Sequence, residues 1–132
     1  MAHVNQVQGR PPVVIGRTDY GRLWTLAVSL HVREGDVADQ LMGELDRAKI
    51  IPDDQVGNDV VTMGTTVRYT TDTGDDRTVT LVFPNEADIA QDRVSVFTPI
   101  GAALIGLSPG QSIDWLARNG AVRRLTVQTV NG

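Results

Sequence analysis

Between residues 52 and 59 the hydrophobic period of this chain changes from helical to strand-like, and that change limits the fold more than any other feature. Before it, Leu23, Leu26, Ala27 and Leu30 recur at i, i+3, i+4 and i+7, one apolar stripe of an amphipathic helix. After it, Val67, Tyr69 and Thr71 alternate with Thr66, Arg68 and Thr70, and Val79, Leu81 and Phe83 alternate with Thr78, Thr80 and Val82. Helices and strands segregated along one chain predict an α+β fold.

The helical part reads as two segments. Thr18 is a good N-cap for a helix over about Asp19 to Leu30, which Gly21 weakens only slightly. The pattern breaks around His31 to Gly35. Asp36 then suits the cap of a second helix that carries Val37, Leu41, Leu45 and Ala48 along one face until Ile50 and Pro52 end it. Two amphipathic helices with so short a link predict an antiparallel helical hairpin, a short coiled coil, within residues 13–58. Residues 1–12 read as a polar, flexible tail ending in Pro11-Pro12, an expectation that falls almost wholly outside the described residues. Val13-Val14-Ile15 is a β-prone run brief enough for an edge or a docking segment.

Residues 59–132 predict an antiparallel sheet of about five strands with one short helix. Asp72 to Asp76 is a hairpin loop, and Val94 to Phe97 is a third strand. Pro99 opens a helix through Leu104, as proline does at a first helical position. Ser108-Pro109-Gly110 is a turn, and Asn119-Gly120 joins strands at Ile113–Leu116 and Leu125–Val127 as a hairpin.

Composition narrows the chemistry. The 132 residues, 41% hydrophobic and 21% charged, support one ordinary core and argue against wholesale disorder. With no cysteine, disulfides and thiolate metal sites are excluded, which fits a reducing cytoplasm. The stretch from Met1 to Gln8 lacks the character of a secretory signal, and the apolar run Pro99 to Leu107 is far below the ~20 residues of a membrane helix. Net charge −4 disfavours general nucleic-acid binding. The arginines at 10, 17, 22, 118, 123 and 124 read as solvated surface or as a contact patch for an acidic protein partner.

His3 and His31 have no nucleophile or second ligand at a recognisable spacing, and no glycine run makes a phosphate cradle. Acidic clusters at Asp53, Asp54 and Asp59, and at Asp72, Asp75 and Asp76, read as solvated loop acids. At the hairpin tip, Glu34 and Asp36 allow two readings: a helix cap, or a carboxylate pair for a divalent cation, of which spacing favours the cap. No catalytic residue, cofactor site or metal site is assigned.

Several segments together carry a family resemblance. They are Pro11 to Ile15, Thr18-Asp19, Arg22-Leu23, Leu41 with Glu44-Leu45-Asp46-Arg47-Ala48, Val61-Thr62-Met63, and Thr98-Pro99-Ile100-Gly101-Ala102-Ala103-Leu104-Ile105-Gly106-Leu107 with Gly110. From Pro11 onward the chain resembles the regulator of nucleoside diphosphate kinase (Rnk) family, which is related to the Gre transcript-cleavage factors. The resemblance implies an FKBP-like C-terminal domain that docks on the rim of the RNA polymerase secondary channel. In Gre factors a long coiled coil reaches the active centre, where tip carboxylates help hold Mg²⁺; Rnk-type members are understood to bind the same place with a shorter hairpin and without promoting cleavage.

Carried onto this chain, the resemblance assigns polymerase contact to Phe97, Thr98, Pro99 and Ile100. Thr98-Pro99 stands where Gre factors have Ser-Pro, and Phe97 where some have Asp. Its exposed start, Phe97-Thr98-Pro99, is where binding is expected. A helix from Asp19 to Leu30 spans only ~18 Å, so Glu34 and Asp36 stop short of the active centre. The expectation is a cytoplasmic, non-enzymatic transcription regulator. The alternatives are an active cleavage factor and a prolyl isomerase, the latter needing a pocket made from Tyr20, Trp24, Tyr69, Phe83, Phe97 and Trp115. An influence on nucleoside diphosphate kinase reads as an indirect transcriptional effect.

Overall fold

The computed structural model describes residues 12–31, 33, 35–116 and 120–131. In chain order the elements are β1 (Val13–Gly16), α1 (Arg17–Leu30), α2 (Gly35–Arg47), β2 (Ala48–Ile51), β3 (Thr66–Thr71), β4 (Asp76–Val82), β5 (Arg93–Ser95), α3 (Pro99–Leu104), β6 (Ser112–Leu116) and β7 (Val122–Val130). The α+β reading holds: a helical hairpin precedes a five-stranded sheet of order β5-β4-β3-β7-β6.

The first departure from expectation is at the hairpin's base. Val13–Ile15 is the edge strand expected, but its partner was not: β1 pairs in parallel with β2 as a two-stranded sheet, Val13 opposite Ala48 and Ile15 opposite Ile50. α2 therefore ends at Arg47, and Ala48 to Ile51 leaves as a strand, as β-branched Ile50-Ile51 before Pro52 favours. Val13 and Ile15 are buried, and they join Leu23, Ala27, Leu41 and Leu45 in the same core as Leu81, Leu104, Leu107, Ile113 and Leu125 of the sheet, its short helix and the turn after that helix.

The helix caps also differ. α1 starts at Arg17 behind Gly16, so Thr18 lies inside the first turn instead of capping it. The cap comes from across the chain. The Asp53 carboxylate accepts the Thr18 N–H at 2.9 Å and also the Thr18 hydroxyl proton, satisfying an orphan donor of the helix start. The Asp19 carboxylate accepts the Met63 N–H at 3.2 Å, a second tie between α1 and the connection to the sheet. α2 begins at Gly35, which places Asp36 in its first turn, exposed, where its charge suits the positive end of the helix dipole.

The hydrogen bonds from Thr18 hold the Asp53 carboxyl below its ordinary value, the side-chain bond contributing most. A carboxyl lowered in the folded state adds stability above its unfolded pKa of ~3.9 and loses it as pH falls through the folded value. An Asp53→Ala chain is therefore expected to melt below the wild type at pH 7, with the gap closing as pH is lowered past that range. Melting curves across pH check this; a gap that stays constant down to the acid limit contradicts it.

The sheet is mixed. β5 runs parallel to β4, with Val82 opposite Ser95, because residues 83–92 cross over through two single-turn 3₁₀ segments instead of a hairpin. The third strand stops at Ser95, leaving Val96 and Phe97 buried beyond it. β7 is longer than expected and pairs with both β3 and β6. Of the Asn119-Gly120 turn, Asn119 lies outside the described residues, and Gly120 has a φ of +86°.

Candidate functional site

The segment from Ser95 to Leu107 is assembled by its own polar groups. The Ser95 hydroxyl accepts the Phe97 N–H at 2.9 Å. Thr98 sits at the N-cap of α3, its hydroxyl donating to the Ser95 carbonyl at 2.7 Å and accepting the Gly101 N–H at 3.1 Å. Pro99 follows at the first helical position, as expected. From α2, the Gln40 amide donates to the Pro99 carbonyl at 2.8 Å, fixing the hairpin against the start of α3. That contact joins residues 59 apart in sequence, so no local signal marks Gln40.

At the other end of the motif, Gly106 is a junction. Its N–H donates to the Val61 carbonyl at 2.8 Å, its carbonyl accepts the Val14 N–H at 3.1 Å, and Val61 donates to the Leu107 carbonyl at 2.8 Å. The motif thus ties β1, the residue-61 segment and α3 together. Most of it is interior, Ala102 to Ile105 and Leu107 being buried.

This arrangement corrects the expected exposed start. Phe97 is only 5% exposed and Pro99 is buried, while Thr98 and Ile100 are half-buried. Directly after Ser95-Val96, the Phe97 side chain turns inward. Thr98 and Ile100 are what this stretch leaves within reach of solvent.

At the hairpin tip Asp36 is exposed, and Glu34 lies outside the described residues. The His31 ring is 3.0 Å from the Asp39 carboxylate at the surface. Among the described residues no three His, Asp or Glu side chains gather as a metal site requires. The helices of 14 and 13 residues span about 21 and 20 Å. Among the described residues no helix is long and apolar enough to cross a membrane.

The comparisons with known proteins agree with this construction. The Rnk N-terminus family matches residues 11–51, and the C-terminal region of transcription elongation factors GreA/GreB matches residues 56–131. The regulator of nucleoside diphosphate kinase of Escherichia coli K12 is 35% identical over 119 residues, covering 89% of this chain and 88% of that protein. Transcription elongation factor GreA of Azorhizobium caulinodans is 33% identical over 91 residues, but the chain spans only 57% of that protein's length. In three dimensions the chain is similar to a prokaryotic transcription elongation factor GreA/GreB from Nitrosomonas europaea, with a TM-score of 0.71 and 31% identity over 91% of this chain and 99% of that one. The helical hairpin, the mixed sheet and the glycine-bearing α3 motif thus belong to a member of the regulator of nucleoside diphosphate kinase family, within the wider Gre group of transcription factors.

Proposed function

We propose that this chain is a non-enzymatic transcription regulator that binds RNA polymerase at the mouth of its secondary channel, competes there with other channel-binding factors and leaves the transcript uncut. The observation that carries the reading is the length of the hairpin in a chain of this family. α1 has 14 residues and extends about 21 Å, too short an arm to carry Asp36 from the channel rim to a buried catalytic metal. A carboxylate must come within ~2.5 Å of a cation to ligate it. Ile100 and the exposed part of Thr98 are the proposed contacts at the start of α3; Phe97 and Pro99 shape that ridge from beneath.

The test is a backtracked polymerase with labelled RNA. Purified protein is expected to leave the RNA length unchanged while slowing cleavage by a subsequently added GreA. In the same system, Ile100→Ser is expected to weaken that competition by about tenfold, the loss of one apolar contact at an interface centre. Shortened RNA with the chain alone returns the reading to an active cleavage factor. Undiminished GreA cleavage at saturating protein removes the shared binding place.

A further inference from the structure

A groove lies on α1, apart from the Ser95-to-Leu107 segment. Along one flank of α1, Arg22, Leu26 and Leu30 stand at i, i+4 and i+8, and Phe83, Pro84 and Asn85 of the turn after β4 face them across a volume of about 430 Å³. Leu26, Leu30 and Phe83 are half-buried and make the apolar floor. Thr25 and Ser29 on the rim already donate their hydroxyl protons to the carbonyls of Gly21 and Thr25, at 3.0 and 2.8 Å. Arg22 and the Asn85 amide are the donors left for an occupant.

Arg22 is the groove's one charge. Its guanidinium carbon is 4.1 Å from the Phe83 ring centroid, a cation–π contact that holds the head group over the groove wall. Among the described residues it makes no ion pair, and no acidic side chain lines the groove. In a chain of net charge −4 this is a local positive site on an apolar surface. Guanidinium donors match a carboxylate better than any other protein group. A purely apolar ligand leaves Arg22 unused, and a nucleic-acid backbone finds a single cation in this groove of an acidic protein.

We infer that this groove takes a polypeptide segment of RNA polymerase that presents an Asp or Glu side chain beside apolar ones, its carboxylate on Arg22 and its apolar side chains on Leu26, Leu30 and Phe83. The inference rests on the polymerase-binding reading above. Its position supports a shared contact: Val82 pairs with Ser95, and the Val96 N–H donates to the Val82 carbonyl at 2.8 Å. Phe83 therefore follows at the same end of the sheet as the Val96-to-Thr98 segment that opens α3. The eight-residue rise from Arg22 to Leu30 gives the groove a length of about 12 Å along α1, two turns of a partner helix or three to four residues of an extended segment.

The test is equilibrium binding of the fluorescently labelled chain to purified RNA polymerase from its own organism. Arg22→Glu is expected to raise Kd by about tenfold or more at low salt, with Arg22→Gln in between. Arg22 is exposed, so both variants lose only its contact with the Phe83 ring and should remain fully folded at the temperature of the binding assay, which their melting curves check. A photoreactive benzoylphenylalanine at Asn85 is expected to crosslink a polymerase peptide holding Asp or Glu beside apolar residues. Equal Kd values for wild type and Arg22→Glu overturn the groove assignment alone, as does a crosslink to nucleic acid or to a peptide lacking a carboxylate. A wild-type chain that binds no polymerase overturns the proposed function and this inference together.

Discussion

A Gly101→Ala chain is expected to lose about 3 kcal/mol of stability or more and to melt roughly 10 °C or further below the wild type. A Cβ at this position would lie 2.1 Å from the Ser95 carbonyl oxygen and 2.8 Å from the Val96 Cα. Both are backbone atoms, so no rotamer change relieves the contact. The carbonyl that would have to move also accepts the Thr98 hydroxyl, and Thr98 in turn caps α3 through the Gly101 N–H. Displacing it costs the cap as well as the packing of β5 against α3. Gly21 gives the opposite sign: an added Cβ meets nothing within 4 Å, so Gly21→Ala inside α1 should stabilise by up to about 1 kcal/mol through helix propensity. Urea and thermal unfolding of the two variants check the pair. Similar melting temperatures for Gly101→Ala and the wild type would show that the strand and helix are not locked at this distance.

Periodicity carried the gross architecture, since a hairpin of two amphipathic helices and a sheet of five strands each leave a repeat in sequence. What it could not carry are contacts whose two sides are distant along the chain. β1 has three β-prone residues and no visible partner until β2 is known to leave α2 at Ala48. Thr18 reads as a cap in sequence because the group that caps it, Asp53, stands 35 residues away. Alternation does not encode strand direction, so it leaves β5 in an all-antiparallel sheet, whereas the crossover at residues 83–92 makes it parallel to β4. The candidate site was legible as a motif but not as a surface. Gly101 and Gly106 make the segment conspicuous through close packing, and Phe97 turns inward under the same constraint. Arg22 was visible only as one of several scattered arginines; Phe83, which gives it a place, comes from another part of the chain.

Gly106→Ala is expected to cost about 2–4 kcal/mol, for two reasons that can be separated. The residue has a φ of +81°, a left-handed conformation that costs a residue with a Cβ on the order of 1 kcal/mol. Its new Cβ would also meet Val13 Cγ1 at 2.2 Å and the Val14 carbonyl oxygen at 3.0 Å. The first cost is intrinsic to the backbone, whereas the second depends largely on one methyl group of β1. Val13→Ala removes that methyl but opens a cavity in a side chain that is 1% exposed, a loss of roughly 1–3 kcal/mol by itself. The double variant should therefore be less destabilised than the sum of the two single ones, by a coupling of about 1 kcal/mol or more. Strict additivity in chemical denaturation would mean that β1 does not press on Gly106. A positive coupling would identify the glycine as the point where the strand at the base of the helical hairpin is seated against the α3 motif. The polymerase contacts proposed for Ile100 and Arg22 depend on that seat for their relative placement, because α1 begins directly after β1 while α3 ends at Leu104, two residues before Gly106.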